Sequence, residues 1–378
     1  MDVAVYVHFP WCLQRCPYCD FATEAVAPRA IPHGPYAAAV TSELALRGRS
    51  LGDLRAATLF FGGGTPSLWE PSELGRVVRA VEALGAPDEV TVECNPTSLT
   101  EARASALRDH GVTRLSVGVQ SLRDRHLRYL GRLHDAAGAL RAVSLAVASG
   151  LRVSADLMYG LDAQPEEELV EDALALLDLG VEHLSCYALT VEPSTRFGEL
   201  ARKGRLPRAT DDHVAGLYLA LEGALSARGL EHYEVSNYAL PGARARHNVA
   251  YWRGMAYLGL GAGAVGCVPE GASARRWRNL PDPAAYASAL GDGALPPAEE
   301  ERLDPPTRVR EALLLGLRCA DGTDLAGLRR ATGLDPLEGR RDALARALER
   351  GNVARDGDVL RIPRARWLLA DDITAGLF

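Results

Sequence analysis

The amino-acid sequence predicts an α/β protein, a partial (β/α)6 TIM-like barrel followed by a small α+β domain of winged-helix-like type. Three observations predict this fold. Short β-branched and apolar runs alternate with helical patterns, which is the spacing of βα units around a parallel sheet. Polar residues recur at the ends of these runs, where barrel strands carry their chemistry. From about Pro305 the alternation stops, and three helical patterns and a hairpin follow.

Six runs are predicted as strands, and each is followed by at least one predicted helix. The predicted strands occupy residues 3–9, 57–61, 90–94, 115–119, 153–158 and 183–189. The predicted helices occupy residues 35–49, 73–84, 100–110, 124–130, 136–149, 165–179 and 210–228. Thr100 is the expected N-cap of the third helix, because a threonine hydroxyl can accept a free N–H of the first turn.

The C-terminal part differs from the barrel in composition and pattern. Residues 1–294 are predicted to form the barrel with its closing segment, the Pro-rich residues 295–306 a linker, and residues 307–378 the second domain. Acidic residues nearly balance the arginines of the second domain, which favours a packing or substrate-covering role over DNA binding. Its predicted elements are helices at 308–318, 325–332 and 337–350 and a hairpin at 353–362 that turns at Asp356-Gly357.

Composition and charge argue against several function classes. The chain is 47% hydrophobic and 24% charged, as in an ordinary globular protein with a sizeable core. Its net charge of -7 argues against nucleic acid as a partner. No apolar run approaches the ~20 residues that span a bilayer, and no signal segment opens the sequence. Cys94, Cys186, Cys267 and Cys319 are scattered, which favours buried thiols in a reducing cytoplasm.

Three further cysteines directly follow the first predicted strand. Cys12, Cys16 and Cys19 have the spacing Cys-x3-Cys-x2-Cys. Three thiolates can hold three irons of a cubane iron–sulfur cluster and leave the fourth iron open to a small-molecule ligand. A zinc site is the main alternative, but zinc usually takes four protein ligands, and its cysteines commonly come in pairs. The sequence has no second pair, so the spacing favours a cluster.

Polar or glycine-rich segments lie at the ends of the other predicted strands as well. Any one of them has an ordinary explanation, because glycines form turns and strand-end carboxylates cap helices. Their recurrence from strand to strand favours one binding site at the C-terminal edge of the barrel. The segments are Gly62-Gly63-Gly64-Thr65-Pro66, Glu93 with Asn95-Pro96, Gln120, Asp156 and Tyr187-Ala188.

The cysteine motif combined with Gly-Gly-Gly-Thr-Pro after the second strand resembles the radical S-adenosylmethionine (radical SAM) superfamily. The segments Ser116-Val-Gly-Val-Gln120 and Asp156-Leu-Met-Tyr-Gly-Leu161 are similar to its oxygen-independent coproporphyrinogen III oxidase group. The resemblance runs through nearly the whole chain. It implies a barrel of radical SAM type, with a [4Fe-4S] cluster on the three cysteines and S-adenosyl-L-methionine (SAM) on the open iron. An electron from such a cluster cleaves SAM to a 5′-deoxyadenosyl radical, while the protein orients the cofactors.

The same resemblance implies the residues of the cofactor site. Glu93 suits the ammonium group of SAM, and Arg132 suits a carboxylate, which a guanidinium binds bidentately. Glycines let the backbone approach the methionine part without a Cβ. The implied groups are Tyr6 and Tyr18 beside the cluster and cofactor, Gly63, Gly64, Thr65 and Glu93 at the methionine end, and Gln120, Arg132, Asp156, Ala188 and Val265 around the remainder.

Two features distinguish this chain from the oxidases that it resembles. The oxidases carry a fourth cysteine two positions after the third, where this chain has Phe21. They also have an N-terminal extension that helps to cover the substrate, and this sequence begins shortly before Tyr6. Both departures argue against decarboxylation of coproporphyrinogen III.

One more motif points to heme. The segment His247-Asn248-x-x-Tyr251-Trp252 is similar to a motif of heme chaperones related to the oxidases, where it is associated with heme binding. A neutral imidazole is a common axial ligand of heme iron. From the spacing alone, a packing role for these residues is favoured, with His247 hydrogen-bonded in the barrel closure. The resemblance instead favours heme binding by these residues over a packing role.

The first functional hypothesis is therefore a heme chaperone that binds heme, delivers it to apo-hemoproteins and keeps a SAM-bound cluster. The expected partners are heme, the recipient apo-proteins, a heme or electron donor protein and a second copy of the chain. The alternative is an oxygen-independent coproporphyrinogen III oxidase or a related radical enzyme. A radical methyltransferase has no further motif in its favour.

Overall fold

The computed structural model describes all residues from Met1 to Phe378. The strands are β1 (Asp2–Phe9), β2 (Trp11–Cys12), β3 (Glu24–Ala25), β4 (Arg55–Gly63), β5 (Glu89–Cys94), β6 (Arg114–Gln120), β7 (Arg152–Tyr159), β8 (His183–Ala188), β9 (Glu231–Glu234), β10 (Asn237–Ala239), β11 (Tyr257–Leu260), β12 (Val265–Glu270), β13 (Ser273–Asn279), β14 (Ala298–Leu303), β15 (Thr323–Asp324), β16 (Ala354–Asp356) and β17 (Val359–Arg361). The helices are α1 (His33–Leu51), α2 (Pro71–Glu82), α3 (Glu101–Asp109), α4 (Asp124–Tyr129), α5 (Ala136–Ala148), α6 (Glu166–Asp178), α7 (Arg196–Arg202), α8 (Asp211–Ala227), α9 (Arg246–Trp252), α10 (Pro283–Gly291), α11 (Pro305–Gly316), α12 (Leu325–Thr332), α13 (Arg341–Glu349) and α14 (Ala370–Ala375).

A single 12-stranded sheet organises the first 303 residues, with the strand order β14-β13-β12-β11-β1-β4-β5-β6-β7-β8-β10-β9. The six predicted strands are its centre, and they pair in parallel from β1 to β8. Strand β11 adds a seventh parallel strand on the free side of β1. Antiparallel strands then extend both edges of the sheet. The predicted α/β class and the partial barrel with βα units are confirmed.

Strand β6 shows how the sequence builds the barrel wall. Leu115, Val117 and Val119 are fully buried in the main hydrophobic core, on the face that α5 covers. Successive side chains of a strand point to opposite faces, so the alternate residues face the barrel interior. These alternate residues are Arg114, Ser116, Gly118 and Gln120. The interior of this barrel is therefore lined by polar groups.

The predicted helix boundaries agree with the structure to within a few residues. The Thr100 hydroxyl accepts the N–H of Arg103 at 3.2 Å, so the predicted N-cap of α3 is confirmed. Six of the helices lie within the six predicted βα units and pack against the outer, apolar face of the sheet. None of the helices is both long enough and apolar enough to cross a bilayer.

The interpretation of residues 295–306 as a linker is wrong, because residues 298–303 form β14. This strand pairs with β13 antiparallel, with Glu301 opposite Arg276 and Glu299 opposite Arg278. Arg276 donates to Glu301 across the two strands at 3.3 Å. Proline on both sides of the segment suggested a linker, whereas the alternation that makes it a strand depends on charge pairing with a distant segment.

The C-terminal part has its own core of 14 buried residues. Helices α11, α12 and α13 confirm the three predicted helices, although α13 begins later than predicted. The predicted hairpin is β16–β17, and β15 adds a third strand to it. A 3-10 turn at Arg364–Leu369 and helix α14 were not predicted. Helix α11 packs against α9 and β13, so this part adjoins the closing segment of the barrel.

Candidate functional site

The C-terminal ends of the parallel strands form one end of the barrel, which we call the mouth, and the cysteine loop lies there. Strand β2 pairs with β3, which closes the loop that carries Cys16 and Cys19. The hydroxyl of Thr65 donates to the Cys12 sulfur at 3.5 Å, and Arg132 Nη1 lies 3.6 Å from the Cys16 sulfur. All three thiols are free and partly buried. The loop is thus held against the second strand end and against Arg132.

The donor set of this loop fits an iron–sulfur cluster. No three Cys, His, Asp or Glu side chains are grouped closely enough to hold a single metal ion. A cubane cluster makes a different demand, because each thiolate binds its own iron and the sulfurs stand further apart. Burial raises the pKa of Cys12 and of Cys19, whereas the Thr65 hydroxyl lowers that of Cys12. Donors beside the sulfurs favour thiolates, the form that binds iron.

The glycines after β4 pack against the chain's own first strand. Gly63 has φ of 105°, and a Cβ at this position would collide with the His8 ring. A Cβ at Gly64 would lie 2.5 Å from the backbone oxygen of Trp11. The Gly64 N–H donates to the Phe9 carbonyl at 2.7 Å. The glycines are therefore required by this strand contact, in addition to the predicted approach of a cofactor.

Two carboxyl groups face the barrel interior near the mouth. Glu93 accepts the Gly63 N–H at 3.2 Å, and Ser116 donates to Asp156 at 3.4 Å. Burial raises the pKa of Glu93 to about 8, and the nearby Asp156 contributes to the rise. Burial also raises the pKa of Asp156. A cationic ligand would relieve the cost of ionising both groups, so this part of the site suits an ammonium or sulfonium group.

Gln120 and Arg132 meet beside Gly118. Arg132 Nη2 donates to the Gly118 carbonyl at 2.9 Å. Gln120 has φ of 68°, and Ala163 is the only other non-glycine residue with positive φ. Such a backbone costs energy and persists where the surroundings impose it, often at functional sites. The strained strand end aims the Gln120 side chain into the mouth.

The structure brings most of the predicted cofactor residues together at the mouth. Tyr6 lies between the two ends of the barrel, since its hydroxyl is 3.0 Å from His8 Nδ1 and its ring is 6.5 Å from that of His247. Burial raises the pKa of Tyr6, and the charge of Glu93 adds to the rise. The Tyr18 hydroxyl lies beside Arg132 and Cys16, and burial raises its pKa. Ala188 ends β8, and Val265 opens β12 on the other side of the barrel. The predicted residues at the mouth are Cys12, Cys16, Tyr18, Cys19, Gly63, Gly64, Thr65, Glu93, Gln120, Arg132, Asp156, Ala188 and Val265.

The predicted heme residues lie at the opposite end of the barrel, which we call the floor, where α9 closes the N-terminal ends of the strands. His247 Nδ1 is 2.8 Å from the Thr58 hydroxyl, and the backbone N–H of His247 donates to the Glu89 carboxylate at 3.2 Å. The His247 ring stacks on Phe60 at 5.0 Å. His247 is only 4% exposed, and burial lowers the pKa of its imidazole to about 3. The imidazole is therefore neutral, and its Nε2 has no partner.

The other residues of this motif also pack at the floor. Tyr251 contacts His247 edge-on at 5.0 Å and Tyr257 at 4.7 Å. Trp252 Nε1 is buried without a partner, and Asn248 lies near the Tyr233 hydroxyl. The contacts of the motif are those expected from a packing role, and an unpartnered imidazole nitrogen remains for a ligand.

Arg114 is a buried cation of the barrel interior that the sequence did not indicate. It is 2% exposed, its Nε has no partner, and no carboxylate lies within 4 Å of its guanidinium. Its charge acts on Glu93 and Asp156 toward the mouth and on His183 and His247 at the floor. The period-two polar pattern of β6 is the signal that could have placed it in the interior.

Comparison with protein families and with related proteins identifies this architecture. The model of the radical SAM superfamily matches residues 6–176, and that of the HemN C-terminal domain matches residues 303–369. Coproporphyrinogen III oxidase (HemN) from Escherichia coli superposes with a TM-score of 0.80 at 19% identity, over 100% of this chain and 90% of that chain. The two proteins therefore share a fold. The cysteine loop on this barrel defines a member of the radical SAM superfamily.

The relatives narrow the assignment within the superfamily. The heme chaperone HemW of Mycobacterium tuberculosis (strain H37Rv) is 36% identical over 378 residues, which cover 99% of this chain and 94% of the relative. The heme chaperone HemW of Escherichia coli (strain K12) is 39% identical over 275 residues, 71% of each chain. The chain belongs to the HemW family.

Proposed function

We propose that this protein is a heme chaperone, which binds heme and transfers it to apo-hemoproteins. The observation that carries the proposal is the similarity to heme chaperones over 99% of the chain. Phe21 supports it, because the position of the fourth cysteine of the oxidases carries no thiol here. The seven free thiols suit a reducing compartment such as the cytoplasm.

The mouth would hold a [4Fe-4S] cluster and SAM. Cys12, Cys16 and Cys19 would bind three irons, and Glu93 with Asp156 would bind the cationic groups of SAM. When bound, the two cofactors together supply a source of the 5′-deoxyadenosyl radical. The chain itself contributes the buried carboxylates, the cation of Arg132 beside the sulfurs and the rigid glycine turn. Whether SAM is cleaved or only bound depends on electron delivery by a partner.

His247 is our candidate for the axial ligand of heme. Its imidazole is neutral, and its Nε2 is free to bind iron. Because the residue is buried under α9, heme can reach Nε2 only if this helix moves. The ligand assignment thus predicts that heme binding opens the floor.

Anaerobic cluster reconstitution followed by heme titration tests the proposal. We expect a saturable change in the Soret absorbance, and transfer of the bound heme to an apo-hemoprotein. Absence of binding to the wild-type protein would overturn the chaperone function. Equal heme affinity and an equal spectrum for His247→Ala would overturn only the ligand assignment. The mass measured at each step shows whether a second copy joins.

The alternative function is oxygen-independent coproporphyrinogen III oxidase. The specific observation in its favour is the fold shared with HemN. An anaerobic assay for protoporphyrinogen IX, with reductant, SAM and coproporphyrinogen III, separates the two functions. Robust turnover would establish the oxidase, and we expect none.

A further inference from the structure

An exposed apolar edge joins the cysteine loop to the closing segment of the barrel. Phe21 is 60% exposed and Leu280 is 40% exposed, although both are large apolar residues. Their neighbours Ala22 and Pro281 meet across Gly263. A Cβ built on Gly263 would lie 3.1 Å from the Ala22 Cβ and 3.5 Å from the Pro281 Cβ. We call this surface the rim, formed by Phe21, Ala22, Arg278, Leu280 and Pro281.

Arg278 supplies the rim with a free positive charge. It lies opposite Val265 in the β12–β13 pair and is exposed, with no carboxylate within 4 Å of its guanidinium. Arg276, two residues earlier on the same face, is by contrast paired with Glu301 and Glu311. Glu299 is the residue opposite Arg278 on β14, yet the two form no ion pair. An exposed guanidinium without a carboxylate partner can accept one from a ligand.

Strand register places Arg278 near the cysteine loop, because it lies opposite Val265, two residues after Gly263, which adjoins Ala22. His8 Nε2 is 2.9 Å from the Ala22 carbonyl, directly after Phe21. Burial lowers the pKa of His8, and the charge of Arg278 lowers it further. The cation and the apolar side chains therefore occupy one neighbourhood at the edge of the mouth.

Two charged side chains near the rim are engaged in contacts within the chain. Arg15 uses Nη2 to contact the Cys19 carbonyl at 3.2 Å and the Phe21 carbonyl at 3.5 Å, so it fixes the loop. Asp282 caps α10 with its carboxylate, which accepts the Ala284 N–H at 2.9 Å. Asp20 and Glu24 are exposed residues of the loop on either side of Phe21.

We propose that the rim is a docking site for heme, with the porphyrin face against Phe21 and Leu280 and a propionate paired with Arg278. The ligand must be flat, apolar and carboxylated, because an apolar patch with one cation at its edge offers those contacts. This inference rests on the proposed heme binding. It also supplies an accessible site, since His247 is buried at the floor while the rim is open.

Heme titration of two rim variants tests the site, with heme dimethyl ester as a second ligand. We expect Arg278→Gln to weaken heme binding about tenfold, the loss of one charge-assisted contact. The wild-type protein should bind the ester about tenfold more weakly than heme, and Arg278→Gln should bind both equally. Phe21→Ala should weaken both ligands by about tenfold, since it removes an apolar contact.

Two matched variants control for general surface effects. Arg302→Gln removes an exposed arginine from the opposite face of the adjacent strand, and Leu219→Ala removes an exposed apolar side chain from α8. Both should bind heme like the wild-type protein. Wild-type affinity in both rim variants, or no preference of the wild-type protein for heme over its ester, would overturn the rim. Absence of heme binding to the wild-type protein would instead overturn the proposed function.

Discussion

The floor and the mouth of the barrel are both lined by polar side chains, and the floor holds a connected set of side-chain pairs that the mouth does not have. Arg152 bridges Glu89 at 3.2 Å and Glu182 at 2.6 Å. His183 Nδ1 is 2.7 Å from the Ser154 hydroxyl, and its Nε2 is 2.8 Å from the Tyr233 hydroxyl. Buried polar groups that satisfy each other in this way hold neighbouring strands in register.

The mouth leaves its polar groups ready for something that the chain does not provide. Burial raises the pKa values of Glu93 and Asp156, and the charge of Arg114 offsets only part of the rise. Gln120 is held in a strained backbone conformation at the strand end. The comparison teaches that the paired groups of the floor serve stability, whereas the carboxyl groups of the mouth and the unpartnered Nε2 of His247 are available to ligands. Each prediction below tests one side of that contrast.

The largest expected effect is loss of the cluster in Cys16→Ser. Serine removes one of three sulfur ligands, and its hydroxyl is a poor substitute for a thiolate. We expect near-complete loss of iron and of the charge-transfer absorbance after anaerobic reconstitution. Cys267→Ala is the matched control, because this thiol is partly exposed but lies on β12 away from the loop. Full iron content in Cys16→Ser would show that the loop does not hold the cluster.

At the floor, Glu89→Ala should lower the free energy of unfolding by about 3 kcal/mol, as expected when one partner of a buried ion pair is removed. The substitution leaves Arg152 with one carboxylate and the His247 N–H without its acceptor. Urea denaturation of the apo-protein measures the change. A loss well below 1 kcal/mol would mean that the floor network contributes little to stability.

Glu182→Ala is the informative companion to that variant. Glu182 contacts the same arginine but is about one-third exposed, so water can replace it. We expect a loss of less than about 1 kcal/mol. Equal losses for the two glutamates would contradict the role given to burial.

At the mouth, Gly64→Ala should cost about 2 kcal/mol of unfolding free energy, because its Cβ meets the rigid backbone oxygen of Trp11 at 2.5 Å. Gly223→Ala in the middle of α8 is the control, since nothing lies within 4 Å of its Cβ position. We expect the control to gain about 0.5 kcal/mol from its higher helix propensity. Thermal melts of both variants provide the measurement, and a stable Gly64→Ala would show that the turn can relax.

Local pattern was sufficient to predict the central strands and the polar positions at their ends. Strand β6 is an example, because its apolar residues alternate with polar ones that the structure places inside. Local pattern was insufficient for β11, which has only four residues and pairs with a strand far away in sequence, and for β14, where the flanking prolines suggested a linker. Strand β11 pairs with β1 across some 250 residues, between Ala4 and Tyr257 for instance. The floor position of His247 likewise follows from tertiary packing, which spacing in the sequence does not encode.

The pH dependence of stability distinguishes the two ends of the barrel. The pKa of Glu93 is about 8 in the folded protein and has a reference value of 4.5. A carboxyl group whose pKa is raised by folding binds its proton more tightly in the folded state, so its contribution to stability falls as pH rises from 4.5 to 8. Glu93→Gln cannot ionise. We therefore expect this variant to become more stable than the wild-type protein as pH increases through that window, measured by urea denaturation of the apo-protein.

The same substitution should weaken SAM binding, although it should stabilise the apo-protein as pH rises. Ionised Glu93 attracts the cationic ligand, so wild-type affinity should rise as pH approaches and passes 8, whereas Glu93→Gln should bind about tenfold more weakly with a flatter profile. Isothermal titration of the cluster-loaded protein at several pH values measures this. A variant that is both less stable at pH 8 and unchanged in SAM affinity would place Glu93 with the stabilising groups of the floor. The raised pKa predicts instead that Glu93→Gln is more stable than the wild-type protein at pH 8 and binds SAM more weakly. A buried carboxylate costs stability until its cationic ligand binds.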